Sequence, residues 1–371
     1  MKIAIITSVP HKIHQDQLWS YGPYVKEMNL WGKHVSGIIL VAPETGEMVS
    51  EIDVAYQHAD ITHKVIPSIS LTSFSELLRT LVRLPGILSA IFGAMRRADH
   101  IHLRCPGNIG MLGAMVQIFF PGKPKTAKYA GNWDPSARQP RSYRFQKWLL
   151  GNTFWTKNMQ VLVYGDWPGQ SKNIKPFFTA TYPESKTAET VDRCFESPYR
   201  FLFVGTLSPG KQPTYVVQLI DALRKRGKQV RLDMYGEGVE RDAVEKIIAE
   251  KNLGDVITLH GNQSAGVVEE AYKQSHMMLL PSKSEGWPKV VAEAMFWGCL
   301  PVVTRVSCVP WMLGEGERGV LLSEEKESDV KLLNELLNDP EAMQRMSETG
   351  MQWSRAYTID AFEREIKKLL V

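Results

Sequence analysis

Short β-rich runs alternate with amphipathic helical stretches along the whole chain, and this alternation limits the possible fold more than any other feature. The runs of the first half are KIAIITS, GIILVAP, HIHLRC, TAKYAG and VLVYG, and those of the second half are RFLFVGT, RLDMYG, VITLHG, MMLLPS, PVVT and GVLL. Strands that alternate with helices form βα units around parallel sheets. The sequence therefore predicts an α/β protein.

The length of 371 residues predicts two domains, because a single hydrophobic core rarely grows so large. A stretch with Pro, Glu and Ser around 182–199 separates the two groups of β-rich runs. We predict one doubly wound domain over 1–190, a second over 198–350, and a closing helical segment over 351–371. Open parallel sheets bind ligands beyond the carboxyl ends of their strands, so the crevice between two such domains is the expected site.

The charges are distributed unevenly along the chain. Residues 1–197 carry 22 Lys and Arg against 15 Asp and Glu, whereas the remainder carries 22 against 25. The first half is therefore the part that would meet an anionic surface. Four scattered cysteines without a CxxC pair indicate free thiols in a reducing compartment and no zinc site.

No segment has the length of a membrane-spanning helix. The longest apolar stretch, LPGILSAIFGAM at 84–95, is bounded by arginines and falls short of the roughly 20 residues that a bilayer requires. The opening MKIAIITSV is better interpreted as a first strand than as a signal peptide. We therefore expect a cytoplasmic protein.

The segment SEGWPKVVAEAMFWGCLPVVT, at 284–304, contains two glutamates eight positions apart. A strand ends near Ser282, and Pro288 is suited to the first position of a helix that runs to about residue 297. Glu285 then belongs to the loop before the helix and Glu293 to its second turn. The free amides of Lys289, Val290 and Val291 would form a positive helix terminus suited to phosphate.

A nucleoside-diphosphate sugar would satisfy this arrangement. Its sugar would lie toward Glu285, its diphosphate over the helix amides and its ribose toward Glu293, since carboxylates accept strong hydrogen bonds from hydroxyls. Alternatively, Glu285 complements the helix dipole and Glu293 is a solvated helix residue. The position after a strand, the lead-in of Gly286 and Trp287 and the small residues nearby favour the ligand interpretation.

The same segment resembles the E-x7-E signature of the family 4 retaining glycosyltransferases. FVGTLSPGK, MYGEG, LHG, MMLLPSKSEGW and GVLL follow in the family's order between residues 200 and 323. The resemblance implies the GT-B fold, in which two Rossmann-like doubly wound domains face each other across a cleft. It also implies a retaining, metal-independent hexosyltransferase with no cofactor, a nucleotide sugar as co-substrate and no protein nucleophile.

The resemblance assigns catalytic roles to Glu285 and Lys211, the latter neutralising charge on the departing diphosphate; a solvated loop lysine is the alternative for Lys211. Thr206 stands where the family usually has an arginine, and a hydroxyl cannot replace a guanidinium. Gly236 and Gly238 would shape the nucleotide pocket or simply form a tight turn. The implied donor-binding residues are Gly205, Thr206, Gly236, Gly238, Gly286, Trp287, Lys289, Val290, Val291 and Glu293.

The first half departs from the family pattern. Its first loop, SVPHKIHQDQLWSYGPYVKE, is not glycine-rich, and its middle loop, YAGNWDPSA, lacks the family's histidine. The acceptor-side candidates are polar residues near predicted strand ends, and an ordinary polar role is the favoured alternative for each. They are His11, His14, Arg104, Asn132 and Asp134.

Basic and aromatic residues are interleaved in SELLRTLVRLPGILSAIFGAMRRAD and ARQPRSYRFQKWLLGNTFWTK. Such segments can lie on an anionic leaflet, or they can be core-packing helices with a basic edge. Nucleic acid is a weaker explanation, because no recognition motif accompanies the charge. A membrane contact would favour a saccharide or lipid-linked acceptor in bacterial surface polysaccharide or lipopolysaccharide biosynthesis, at the inner face of the plasma membrane.

Two other functions fit the same sequence. A sugar-nucleotide epimerase of the GT-B fold would bind a similar donor but need no acceptor. A non-catalytic nucleotide-sugar-binding subunit would explain the missing arginine and histidine.

Overall fold

The computed structural model describes residues 1–50, 52–69, 74–191 and 193–370. The chain divides into unit 1, Met1–Phe177 together with the residues from Glu363 onward, and unit 2, Phe178–Phe362. This division falls earlier in the chain than the predicted linker at 190–198. It also separates the end of the chain from unit 2.

Unit 1 is built on a parallel sheet with a smaller antiparallel sheet beside it. In chain order its strands are β1 (Lys2–Ile6), β2 (His11–His14), β3 (Gln17–Tyr21), β4 (Gly37–Pro43), β5 (Asp53–Ala55), β6 (Ile61–Ile66), β7 (His100–Cys105), β8 (Lys125–Tyr129), β9 (Met159–Tyr164) and β10 (Ile174–Phe177). The parallel sheet has the order β10-β9-β8-β7-β1-β4-β6, and the antiparallel sheet has the order β2-β3-β5. The strand order therefore reverses between β1 and β7.

The helices of unit 1 are α1 (Gly22–Gly32), α2 (Phe74–Arg97), α3 (Asn108–Val116) and α4 (Arg141–Gly151), with a 3-10 turn at Gln117–Phe119. Pro85 lies inside α2. None of the helices in the described part of the chain is long and apolar enough to cross a bilayer.

Unit 2 repeats the parallel architecture. Its strands are β11 (Tyr199–Val204), β12 (Val230–Tyr235), β13 (Ile257–Gly261), β14 (Met277–Leu280), β15 (Leu300–Thr304) and β16 (Val320–Leu322). Its sheet has the order β13-β12-β11-β14-β15-β16, with all pairings parallel. The strand order therefore reverses between β11 and β14.

The helices that follow β11 are α5 (Pro213–Lys225), α6 (Arg241–Glu250), α7 (Ala265–Gln274), α8 (Lys289–Phe296), α9 (Val309–Met312), α10 (Lys326–Leu336), α11 (Pro340–Ser354) and α12 (Ile359–Leu369). Short 3-10 turns occur at Glu184–Ala188 and Gly314–Gly316. The predicted closing segment at 351–371 contains the end of α11 and the whole of α12. The predicted helix after Pro288 is α8, with Pro288 at its cap position rather than inside it.

Every β-rich run of the sequence forms a strand, because the central strands of a parallel sheet are buried on both faces and are continuously apolar. All four residues of β14 are buried, for example. The sequence did not predict the two edge strands of unit 1 or its antiparallel sheet. The edge strand β6 carries His63 and Lys64, and the other edge strand, β10, contains Pro176, which lacks a ladder donor.

The four cysteines all lie in described positions, and no disulfide joins them. Burial raises the pKa of the Cys105, Cys299 and Cys308 thiols to about 12. They therefore behave as small apolar side chains rather than as nucleophiles.

Candidate active site

Two loops of unit 2 follow neighbouring strands at the point where the strand order reverses. One loop runs from Gly205 after β11, and the other runs from Pro281 after β14 to the start of α8. Ligands of open α/β sheets bind at such switch points, beyond the carboxyl ends of the strands. The two loops therefore mark the candidate active site of unit 2.

Lys211 and Glu285 meet at this switch point. The Lys211 Nζ donates to Glu285 Oε1 in a direct ion pair, although 74 positions separate the two residues. The lysine side chain is 28% exposed and the glutamate side chain 9% exposed, so a ligand can reach the pair from the lysine side. The sequence prediction that these residues belong to one site agrees with this contact, while their catalytic roles stay predictions.

Hydrogen bonds tie the two loops together around the ion pair. The Lys283 N–H donates to the Gly210 carbonyl at 2.9 Å, and the Gln212 amide donates to the Pro281 carbonyl at 2.6 Å. Gln212 itself adopts a left-handed conformation with φ of 53° just before α5. These bonds hold Lys211 between two fixed neighbours, which limits where its ammonium group can lie.

The first turn of α8 is only partly available to a phosphate. Among the described residues no side chain caps the helix, and it carries no acidic residue in its first turn. The Val291 N–H, however, donates to the Pro288 carbonyl at 3.0 Å, and Val291 is buried. The prediction of a free Val291 amide is therefore wrong, because a tight turn at Pro288 uses it. Donor contacts by Lys289 and Val290 stay predictions.

Glu293 lies in a different environment from Glu285. Its carboxylate accepts hydrogen bonds from the Thr181 hydroxyl at 2.7 Å and the Tyr272 hydroxyl at 3.2 Å. Burial raises the pKa of Glu293 even though these hydroxyls and the Lys289 charge act to lower it. The second glutamate thus faces protein hydroxyls, which are the kind of group that a ribose presents.

Gly236 and Gly238 let the loop after β12 pack against the loop after β11. An added Cβ on Gly236 would lie 2.0 Å from the Gly205 carbonyl oxygen, and one on Gly238 would lie 2.3 Å from the Leu207 carbonyl oxygen. Gly236 also has a φ of 133°. The glycines therefore fix the shape of the loop that carries Lys211, and their contact with a nucleotide stays a prediction.

The other predicted donor residues occupy distinct positions. Thr206 is exposed near the start of the loop after β11, beside Gly205. The Gly286 carbonyl accepts from the Cys308 thiol at 3.0 Å. The Trp287 ring is 7% exposed and stacks on Trp353 at 6.2 Å, so this side chain belongs largely to the core of unit 2.

His11 does not reach the surface. Its ring is 0% exposed and its Nε2 lies 3.0 Å from the Tyr56 hydroxyl. Burial, and secondarily the neighbouring His63, lowers the pKa of His11 to about 3. The prediction that His11 contacts an acceptor is therefore wrong for this structure, because β2 turns the ring inward. His14, three residues after His11 on the same strand, is exposed and stays a candidate.

Arg104 is part of a buried charge cluster in unit 1. Its guanidinium donates to Glu27 Oε1 at 2.5 Å, and Lys128 donates to the other oxygen of Glu27 at 3.2 Å. Burial alone would raise the pKa of Glu27, but Arg104 and Lys128 together bring it below its ordinary value. Arg104 is thus occupied by a structural partner, and its acceptor role stays a prediction.

Asn132 and Asp134 shape their own loop. The Asn132 side chain accepts from the Asp134 N–H at 2.8 Å, and the Asp134 carboxylate accepts from the Ser136 N–H at 2.8 Å. Side-chain acceptors of this kind form local turns. The contacts agree with the polar loop role that the sequence favoured for both residues.

Sequence reasoning missed Thr181, Tyr272 and Gln212. Thr181 and Tyr272 lie 112 and 21 positions from the glutamate that they contact. No sequence pattern links Thr181 or Tyr272 to Glu293, or Gln212 to Pro281, because only the packing of distant segments brings these residues together.

The comparison with known protein families finds one similarity within unit 2. Residues 187–353 match the model of the glycosyl transferases group 1. Most of unit 2 is therefore similar to the glycosyl transferases group 1. The matched range includes Lys211, Glu285 and Glu293 and ends within α11.

A curated relative and two solved structures also resemble this chain. The α-D-kanosaminyltransferase of Streptomyces kanamyceticus is 26% identical over 150 residues, which cover 40% of this chain and 39% of the relative. Anabaena HepE in complex with UDP has a TM-score of 0.68 at 14% identity, with 100% and 99% of the two chains covered. WaaG, a glycosyltransferase involved in lipopolysaccharide biosynthesis, has a TM-score of 0.64 at 11% identity, with both chains covered completely.

These likenesses carry different weights. The matches to the first curated relatives span less than half of those relatives' length, at 48%, 39% and 48%. The structural likeness covers the whole chain, but at such low identity it establishes the fold alone. The predicted fold, two Rossmann-like doubly wound domains of the GT-B class, is confirmed.

Proposed function

We propose that the protein is a retaining, metal-independent glycosyltransferase of the hexosyltransferase type that uses a nucleoside-diphosphate sugar. The observation that carries the proposal is the contact between Lys211 and Glu285 at the switch point of unit 2, within the range that matches the glycosyl transferases group 1. A cation and a carboxylate side by side suit a ligand that presents phosphate and hydroxyl groups together. UDP is bound in the solved structure of HepE, which supports a nucleotide donor.

The transfer reaction requires that the reacting groups are positioned and that the charge on the leaving diphosphate is stabilised. The bond between the sugar's anomeric carbon and the diphosphate breaks, the acceptor oxygen bonds to that carbon on the same face, and the acceptor's proton passes to the departing phosphate. Lys211 carries three N–H donors and uses one on Glu285, so its ammonium group can also stabilise the leaving diphosphate. Glu285 keeps that ammonium group in place and can accept a hydrogen bond from a sugar hydroxyl through its second oxygen.

We propose a saccharide or lipid-linked acceptor in bacterial surface polysaccharide or lipopolysaccharide biosynthesis, with the enzyme at the inner face of the plasma membrane. The excess of Lys and Arg over Asp and Glu in residues 1–197 supports contact with an anionic surface. The likeness in fold to WaaG agrees with this setting.

The first experiment is donor consumption by the purified chain and by its Lys211→Ala variant, with an acceptor extract present. Loss of one preorganised charge that acts on the leaving group costs about 10²–10³ in turnover. The control is Lys331→Ala, because Lys331 is 74% exposed and lies 4.0 Å from Glu335. Wild-type turnover in Lys211→Ala, with control and variant equally folded, would remove the assignment.

A panel of nucleoside diphosphates and their sugars then separates the alternatives. A ligand that binds the folded state raises its melting temperature, which identifies the base and the donor. An epimerase would convert the donor with no acceptor present, and a binding subunit would bind without consuming it. Proton NMR of the product's anomeric centre tests retention, and an unchanged rate in EDTA tests metal independence.

A further inference from the structure

Unit 1 has an aromatic groove on its helical side. Six of its lining residues are Leu88, Phe92, Phe119, Phe145, Trp148 and Trp155, and the groove has a volume of about 790 Å³. Phe119 is 73% exposed and Trp148 57% exposed. A soluble surface rarely leaves so many large rings together in water unless something covers them.

Cations lie along the same helix faces as these rings. Residues three and four positions apart share a face of a helix, so Arg96 lies beside Phe92 on α2, and Arg141 and Arg144 lie beside Phe145 and Trp148 on α4. The three arginines are exposed. Between residues 79 and 175 the sequence has 15 Lys and Arg against 3 Asp and Glu.

A second cavity extends the cationic surface past the groove. It has a volume of about 740 Å³, and Lys157, Lys172 and Lys175 line it. It adjoins the groove along the chain, because Trp155 lines the groove and the next residue, Thr156, lines the cavity. The Lys157 ammonium group lies 5.7 Å from the centre of the Phe154 ring, which is itself 67% exposed. Apolar rings and ammonium groups therefore form one continuous surface.

This surface lies away from the ligand-binding edge of the unit 1 sheet. The helix α3 starts after the carboxyl end of β7, so its last residues and the 3-10 turn with Phe119 lie toward the amino ends of the strands. Lys157 and Lys172 precede β9 and β10, at the same amino-terminal edge. Ligands of such sheets bind at the opposite edge. The surface is thus free for a partner other than the substrate.

We propose that the aromatic groove and its adjoining lysine cavity dock unit 1 onto an anionic lipid leaflet. Aromatic side chains enter the interface between headgroups and acyl chains, while the flanking cations contact lipid phosphates. A second copy of the chain fits less well, because two surfaces with this excess of positive charge repel each other. This proposal identifies the surface that makes the membrane contact of the proposed function. It does not depend on the sugar-transfer reaction.

The test is sedimentation of the full chain with vesicles of phosphatidylcholine, alone or mixed with phosphatidylglycerol. We expect binding to the anionic vesicles, binding at least tenfold weaker to the neutral ones, and a decline with added salt. Lys157→Glu with Lys175→Glu should weaken anionic binding by at least about 25-fold, since each cation near such a surface contributes about fivefold. Phe119→Ser with Trp148→Ser should also abolish most binding.

The control is Val239→Ser with Leu332→Ser, which removes two apolar side chains, 86% and 40% exposed, from unit 2. It should bind as the wild type does. Equal binding of all variants, equal binding to neutral vesicles, or a dimer that Trp148→Ser dissociates in light scattering would overturn the proposal. Melting shifts with nucleoside diphosphates on the same preparations test the proposed function separately, so either idea can fail alone.

Discussion

Glu293 differs from Asp221 and Glu269, two other carboxyls of unit 2, because its pKa is raised whereas theirs are lowered. Burial raises the pKa of its carboxyl, and the two hydroxyls from Thr181 and Tyr272 compensate only in part. A half-buried carboxylate that weakens the fold is typical of a binding site, where strain is retained for function. The predicted contact of Glu293 with a ribose stays a prediction, which the following variant tests.

We predict that Glu293→Gln raises the melting temperature at pH 8 but not at pH 4. The folded-state pKa lies above the unfolded value, so any stability from this group is present below the unfolded pKa and is lost as pH rises through the folded pKa. Gln removes the charge but keeps hydrogen-bonding capacity for the two hydroxyls. Calorimetry at both pH values checks this.

The same variant should bind the nucleoside diphosphate about 10–100-fold more weakly, the effect of losing a charged hydrogen bond. Glu335→Gln is the matched control, since Glu335 is 63% exposed. A variant with unchanged melting at pH 8 and unchanged nucleotide affinity would show that Glu293 is an ordinary surface residue of α8.

At the scale of elements, the loops after β11 and β12 act as one piece. The Leu207 N–H donates to the Glu237 carbonyl at 3.0 Å and the Glu240 N–H donates back to the Leu207 carbonyl at 2.9 Å. Gly236 and Gly238 allow this approach, since neither position has room for a Cβ. The position of Lys211 therefore depends on a neighbouring loop that supplies no side chain to the ion pair.

We predict that Gly236→Ala destabilises the protein by about 1–3 kcal/mol, because an alanine at φ of 133° is strained and its Cβ meets the Gly205 backbone. Turnover should also fall, since the Lys211 loop must move. Chemical denaturation and donor consumption measure the two effects.

Gly266→Ala is the matched control. Gly266 lies in the first turn of α7, and an added Cβ would meet nothing within 4 Å. This substitution should leave stability unchanged or raise it by up to about 1 kcal/mol, because alanine favours a helix. Equal stability and equal turnover in the two alanine variants would show that the packing of Gly236 does not hold the Lys211 loop in place.

At the scale of the whole molecule, the buried histidines of the described residues all lie in unit 1. Unit 1 buries His100 and His102, whose rings share the Thr126 hydroxyl at 2.9 and 2.8 Å, together with His11. Burial lowers the pKa of His100 to about 4 and of His11 to about 3, and it places the pKa of His102 well below the ordinary value. All three histidines are therefore neutral in the folded state near neutral pH.

We predict that stability falls as the pH drops from 6.5 toward 4. In this window the histidines bind protons in the unfolded chain but not in the folded chain. Each histidine therefore lowers the free energy of unfolding by up to about 1.4 kcal/mol per pH unit. His102→Gln should make the loss with pH shallower, whatever its stability at pH 7. Denaturant titrations at pH 7, 6 and 5 measure the slope.

His14→Gln is the control for this prediction, because His14 is exposed on the surface of β2. This substitution should leave the dependence of stability on pH as it is in the wild type. An identical slope in His102→Gln would show that the acid sensitivity arises from other groups.

The sequence alone determined the class of fold and the central strands. A strand covered on both faces must be apolar along its whole length, so β1, β4, β11 and β14 are visible as runs. The position after a strand also pointed to Glu285, since such a sheet exposes functional groups there, whereas Lys211 followed from the family resemblance.

Only the tertiary structure decided which of these residues meet. Lys211 reaches Glu285 because β14 crosses over to pair with β11, after two strands on the other side of it. The same packing turned His11 and Trp287 into the interior and placed Thr181 and Tyr272 on Glu293. Local patterns record whether a residue is buried or exposed in its own element, but contacts between distant residues depend on strand order and loop packing, which no local pattern contains.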